Sequence, residues 1–169
     1  AVTLGPARMD LQQSQLAQLM AGGLVALSEA GTQLVGGHTG ESEALGVGYS
    51  VTGWREGPPK IISAGDDPVL VLTKPLGTGV IMAGYMKLAA QGAWVIAAAD
   101  MMARGNGLAA ATLAPHRPVM TDVTGFGLAR HAMNLAERCG MQGIEIDLAA
   151  LPLIDGAKAM LEAGHRSTL

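Results

Sequence analysis

Three stretches place glycine beside side chains able to handle phosphate or metal. They are Leu34-Val35-Gly36-Gly37-His38-Thr39, Leu72-Thr73-Lys74-Pro75-Leu76-Gly77-Thr78-Gly79 and Met120-Thr121-Asp122-Val123-Thr124-Gly125-Phe126-Gly127-Leu128. Each reads as a short apolar strand, a glycine-bearing turn with polar side chains, and a new element. Glycine lets the backbone approach a ligand and present its N–H groups. A helix that follows adds the positive end of its dipole. Junctions of this build bind phosphates, although each alone is also ordinary turn punctuation. The sequence holds neither the GxxxxGK[ST] loop nor a G-x-G-x-x-G turn after a strand.

Asp122 is the most informative single residue, since it stands at an expected strand end, before a glycine-rich turn and a helix. A carboxylate there can hold Mg²⁺, which takes oxygen ligands and bridges phosphates; a turn or N-cap aspartate is the other reading. His38 follows two glycines with no second His or Cys nearby to suggest zinc, so a hydrogen-bonded turn role stands beside ligand contact. Lys74 can meet a phosphate as a point charge or run its stem along the surface into solvent. Cys139, in Glu137-Arg138-Cys139-Gly140, has a neighbouring cation but no adjacent His and reads as an inert thiol. Asp66-Asp67 reads as a solvated turn, and Met82, Met86, Met101 and Met102 as core filler.

The elements that must position these residues follow from periodicity. Ala1–Leu4 reads as a strand end stopped by Gly5-Pro6, and Asp10 as the N-cap of a helix over Leu11–Glu29 that Gly31 ends. Thr32–Val35 reads as a short strand. Ala44–Trp54 alternates Leu45, Val47, Tyr49 and Val51 with glycines and hydroxyls, as a strand with one small face does. Arg55–Lys60, with Gly57-Pro58-Pro59, is the linker candidate. Beyond it, strands are expected at Val69–Leu72, Val119–Thr121 and Gly143–Leu148. Helices are expected at Val80–Ala90, Ala93–Arg104, Gly107–Leu113, from the Asp122 turn to Cys139, and at Asp155–Ala163. The mixture indicates α/β or α+β packing.

Composition narrows the function classes. Apolar residues make up 49% of the 169 and aromatics 3%, so a core must come from Ala, Val, Leu, Ile and Met. A net charge of −3 with scattered cations argues against a nucleic-acid surface. The apolar stretches are too short or too interrupted to span a bilayer, and Ala1–Pro6 has no leader character. With one cysteine, these features lead us to expect a soluble protein of a reducing compartment, in the cytoplasm. An Ala start and the Ser167-Thr168-Leu169 end suggest a piece of a longer chain.

The junctions, in this order and at these separations, resemble the selenophosphate synthetase family. The resemblance is carried by Gly36-Gly37-His38-Thr39, Ser50-Val51-Thr52-Gly53, Thr73-Lys74-Pro75-Leu76-Gly77-Thr78-Gly79, Thr121-Asp122-Val123-Thr124-Gly125-Phe126-Gly127-Leu128 and Asp147-Leu148-Ala149-Ala150-Leu151-Pro152-Leu153. It runs over essentially the whole chain. His38 stands where relatives in the wider aminoimidazole ribonucleotide synthetase-like superfamily usually carry an acid.

The resemblance implies an α+β fold (an α/β sandwich), with residues 1–55 the back half of an N-terminal ATP-binding domain and 61–169 the front part of a C-terminal domain. It implies ATP and Mg²⁺ acting on selenide and water, and a homodimer joined through residues 44–54. Asp122 would bind Mg²⁺, Gly37, His38 and Thr39 would contact nucleotide, and Lys74 would lie at the nucleotide. The family's nucleophilic Cys or selenocysteine, with its nearby Lys, would lie upstream, so Cys139 is not its equivalent and this chain alone is expected to be inactive. Gly40-Glu41-Ser42-Glu43-Ala44 departs from the family spacer. Two other readings stand beside this one: a catalytically silent nucleotide-binding scaffold, and another small-metabolite kinase of the superfamily. A Cys or selenocysteine followed closely by Lys in the upstream sequence separates the enzyme from the scaffold.

Overall fold

The computed structural model describes residues 1–54, 57–60, 62 and 66–167. The chain divides into two compact units, Ala1–Glu56 and Gly57–Leu169. Arg55 and Glu56 of the expected linker, Ile61 and the terminal Thr168-Leu169 lie outside the described residues.

The first unit is built on β1 (Val2–Leu4), whose outer residues Val2 and Leu4 are buried while Thr3 between them is half-buried, as a two-residue period requires. Helix α1 (Met9–Glu29) follows. It begins after Arg8, so Asp10 lies inside the first turn and is not the N-cap. There Asp10 accepts hydrogen bonds from Arg8 Nε (3.1 Å) and Nη2 (2.5 Å). The guanidinium holds this carboxyl below the usual carboxylate range.

The far end of α1 agrees with the sequence reading. Gly31 is left-handed (φ +62°), its N–H donates to Ser28 O, and Thr32 N–H donates to Leu27 O at 2.8 Å, which is a Schellman end. Strand β2 (Thr39–Glu41) pairs parallel with β1, and β3 (Gly46–Val47) pairs antiparallel on its other side, giving the order β2-β1-β3.

Two strand expectations fail here. Thr32–Val35 carries no ladder, and Val35 is 94% exposed. Of Ala44–Trp54 only Gly46–Val47 pairs, with Val2 and Thr3. Alternation states which side chains would share a face, but a strand also needs a neighbour's N–H and C=O groups, and three-residue β1 offers few. Tyr49 instead lies against α1, where its hydroxyl fills the space a Cβ on Gly23 would occupy.

The second unit is helical. α2 (Thr78–Met86), α3 (Gly92–Ala103) and α6 (Ala157–Glu162) bury Val80, Ile81, Ala98, Ile154, Ala157 and Met160, with Trp94, Val95 and Met101 packed on them. α4 (Gly107–Leu113) and α5 (Gly127–Arg138) complete its α-helices among the described residues. The strands expected at Val69–Leu72, Val119–Thr121 and Gly143–Leu148 are absent; Val69 and Val71 are exposed. β pairing here includes an isolated parallel bridge between Leu76 and Leu153, in which Leu76 N–H donates to Pro152 O and Ile154 N–H to Leu76 O. The architecture is therefore α+β: helices with one small mixed sheet. Among the described residues no helix is long and apolar enough to cross a membrane.

The Schellman end recurs at Gly140 and Gly164, both left-handed. At the end of α2 the same bonds run from Leu88 N–H to Tyr85 O and from Ala89 N–H to Gly84 O, but the left-handed residue is Leu88 (φ +57°), whose side chain is exposed. A left-handed non-glycine residue costs roughly 1–2 kcal/mol. Leu88→Gly is therefore expected to raise stability by about 1 kcal/mol. Gly156→Ala, at φ +85° with Trp94 filling the Cβ position, is expected to lower it by about 2 kcal/mol or more. Thermal melts of the two variants check both signs.

Candidate functional site

The structure places each of the three junctions differently from the strand–turn–element pattern. Gly36 to His38 is exposed and precedes a strand instead of following one: His38 O accepts from Val2 N–H at 2.9 Å, which brings Thr39 into register beside Val2 as β2 begins. These residues belong to the first unit, and Lys74 and Asp122 to the second.

The second junction does open a helix. Gly77 (φ +128°) precedes Thr78, and Ile81 N–H closes the first turn on Gly77 O. A Cβ at Gly77 would overlap that of Ala157, so glycine here lets α2 and α6 start close together. Lys74 is half-buried, and its ammonium donates to Arg104 O and Met101 O, the carbonyls at the C-terminal end of α3. A cation there satisfies orphan carbonyls and meets the negative end of the helix dipole. Both sequence readings took solvent or ligand as its surroundings, and the neighbouring helix end is 27 to 30 residues away in sequence.

The third junction also opens a helix, α5, through a left-handed Gly127 (φ +78°) whose N–H donates to Thr124 O. Asp122 is exposed, and among the described residues its carboxylate joins no ion pair or hydrogen bond. Among the described residues no group of three His, Cys, Asp or Glu is placed to hold a metal, so Asp122 is a single free oxygen donor. That donor suits Mg²⁺, which keeps several waters and is commonly held by one or two carboxylates plus substrate phosphates.

Two residues that the sequence reading did not single out hold this loop. His131 Nε2 lies 3.1 Å from both Thr124 N and Thr124 Oγ1, and Arg138 Nη1 donates to Met120 O at 3.1 Å. The signal that could have found them is their spacing, seven residues apart on one helix face. Cys139 is half-buried in a shallow depression with Pro58, Lys60, Val119 and Arg138.

Lys74→Met keeps the stem and removes the charge. A cation that caps α3 predicts a loss of about 1 kcal/mol in the absence of any nucleotide; an unchanged melting temperature contradicts the cap.

Comparison with known proteins supplies the remaining observation. The chain is 38% identical over 159 residues to the selenide, water dikinase of Citrifermentans bemidjiense, covering 92% of this chain and 46% of that protein. It is 41% identical over 153 residues to that of Geobacter metallireducens (88% and 44%), and 36% identical over 168 residues to that of Nitratidesulfovibrio vulgaris (92% and 45%). The chain thus spans about half the length of the curated relatives it matches. No protein-family model and no solved structure matches it. The resemblance read from the junctions is borne out over nine-tenths of the chain.

Proposed function

We propose that this chain forms part of a selenide, water dikinase, which makes selenophosphate, AMP and phosphate from selenide, ATP and water. The observation that carries the reading is 36–41% identity over about nine-tenths of the chain to proteins of that name. In this reading residues 1–55 are the back half of an N-terminal ATP-binding domain and 61–169 the front part of a C-terminal one, in the aminoimidazole ribonucleotide synthetase-like fold. The division of the chain near Gly57 supports that arrangement. The nucleophile lies outside this chain, which alone is inactive, and the enzyme works in the cytoplasm.

The residues then take these roles. Gly37, His38 and Thr39 contact the nucleotide; Gly37 and His38 are exposed. Asp122 supplies a carboxylate to Mg²⁺, which offsets phosphate charge during transfer. Lys74 stands at the nucleotide by exchanging the α3 carbonyls for phosphate oxygens, which carry more negative charge. The enzyme is a homodimer joined through residues 44–54, where Val47, Val51 and Trp54 are exposed and β3 has a free edge. Sedimentation as a strict monomer at high concentration contradicts that interface.

Asp122→Asn in the full-length protein tests the metal role. An amide keeps the size and ranks with aspartate in turns and caps, but it cannot offset a divalent ion. The expected result is a large fall in Mg²⁺-dependent AMP formation with the melting temperature unchanged within about 1 kcal/mol of stability. Normal turnover at limiting Mg²⁺ removes Asp122 from the reaction.

A further inference from the structure

His131 and Arg138 stand seven residues apart on α5, two turns along one face. The first meets Thr124, and the second meets Met120 O. The loop carrying Asp122 is thus tied at both ends to one helix. The anchors lie about 10 Å apart along the helix axis, and four residues of extended chain cover about 13 Å. Residues 120–124 therefore run alongside α5, with Asp122 midway between the ties.

The His131 tie also fixes a chemical form. A backbone N–H only donates, so the nitrogen it meets must offer a lone pair. With Thr124 N–H directed to Nε2 at 3.1 Å, Nε2 is the bare nitrogen and the ring proton sits on Nδ1. The Thr124 hydroxyl oxygen also lies 3.1 Å from Nε2. Thr124 O is meanwhile occupied by Gly127 N–H, and the His131 ring lies 6.2 Å from that of Phe126, tilted by 50°. Both polar groups of the Thr124 peptide backbone are thereby committed to α5 or its first turn.

We infer that His131 is a positioning residue, which, through the Thr124 peptide N–H and with Arg138 at the other end, holds the Asp122 loop in the conformation that meets the metal–nucleotide. This rests on the role proposed for Asp122. A freely hinged carboxylate loses rotamer and backbone freedom when it binds a cation; a strapped loop has lost part of that freedom beforehand.

The first test reads the strap itself in the 169-residue chain. Long-range ¹H–¹⁵N spectra of the imidazoles should show His131 protonated on Nδ1 in the unaltered protein; protonation on Nε2 overturns the inference without needing any variant. In His131→Leu the Thr124 amide should exchange with solvent roughly tenfold faster. His131→Gln, whose side-chain carbonyl can accept from the same N–H, should restore most of the protection. Unchanged exchange in His131→Leu overturns the strap.

The second test uses the full-length protein. His131→Leu should lower AMP formation at limiting Mg²⁺ by roughly 10–100-fold, as loss of a residue behind a metal ligand does, with His131→Gln recovering most of it. If exchange quickens in His131→Leu while turnover holds, and Asp122→Asn is still inactive, the positioning role is wrong and the metal role stands. If Asp122→Asn turns over normally, the metal role is wrong, and the strap is judged by exchange alone.

Discussion

The second unit depends on close approach, and glycine sets how close. A Cβ at Gly77 would overlap Ala157, one at Gly84 would meet the Met160 sulfur, and one at Gly156 would enter the Trp94 ring. With few aromatic residues to fill volume, the core is made by bringing backbones together around Ile81, Ala98 and Ala157, all wholly buried. Interiors packed to crystal-like density tolerate little change in shape, so these glycines fix where α2 and α6 begin. They fix the Lys74 loop as well, because the same approach seats Leu76 beside Leu153.

The loops that the sequence marks for chemistry are held by ordinary structural bonds. Lys74 is held by the carbonyls that end α3. The Asp122 loop is held by His131 and Arg138 of the helix it opens. Thr39 is held in register by Val2. At the Asp122 loop the backbone is anchored at both ends while the carboxylate stays exposed.

The sequence made the helices legible and the strands much less so. α1, α3, α4 and α5 fall within about two residues of their expected bounds, because helical hydrogen bonds are local and glycine stops such as Gly31 and Gly140 are visible in the sequence. Val69–Leu72 and Ala44–Trp54 show why strands failed: apolar runs and alternation describe faces, but pairing is settled by a partner elsewhere. The same reason hid the supports of the Asp122 loop. Asp122 stands out from its own sequence neighbourhood, whereas His131 and Arg138 matter only through groups that folding brings back along α5. Asp10 was misplaced by two residues because Arg8, not a capping side chain, precedes the helix.

The central claim is that this chain serves a reaction that breaks down ATP as far as AMP. The product spectrum of the full-length protein tests it most directly. With ATP, Mg²⁺ and selenide, ³¹P resonance should show AMP, inorganic phosphate and selenophosphate appearing together, one of each for every ATP consumed. ADP as the sole nucleotide product, with the transferred phosphoryl group on a different small metabolite, would contradict the account and identify a different kinase.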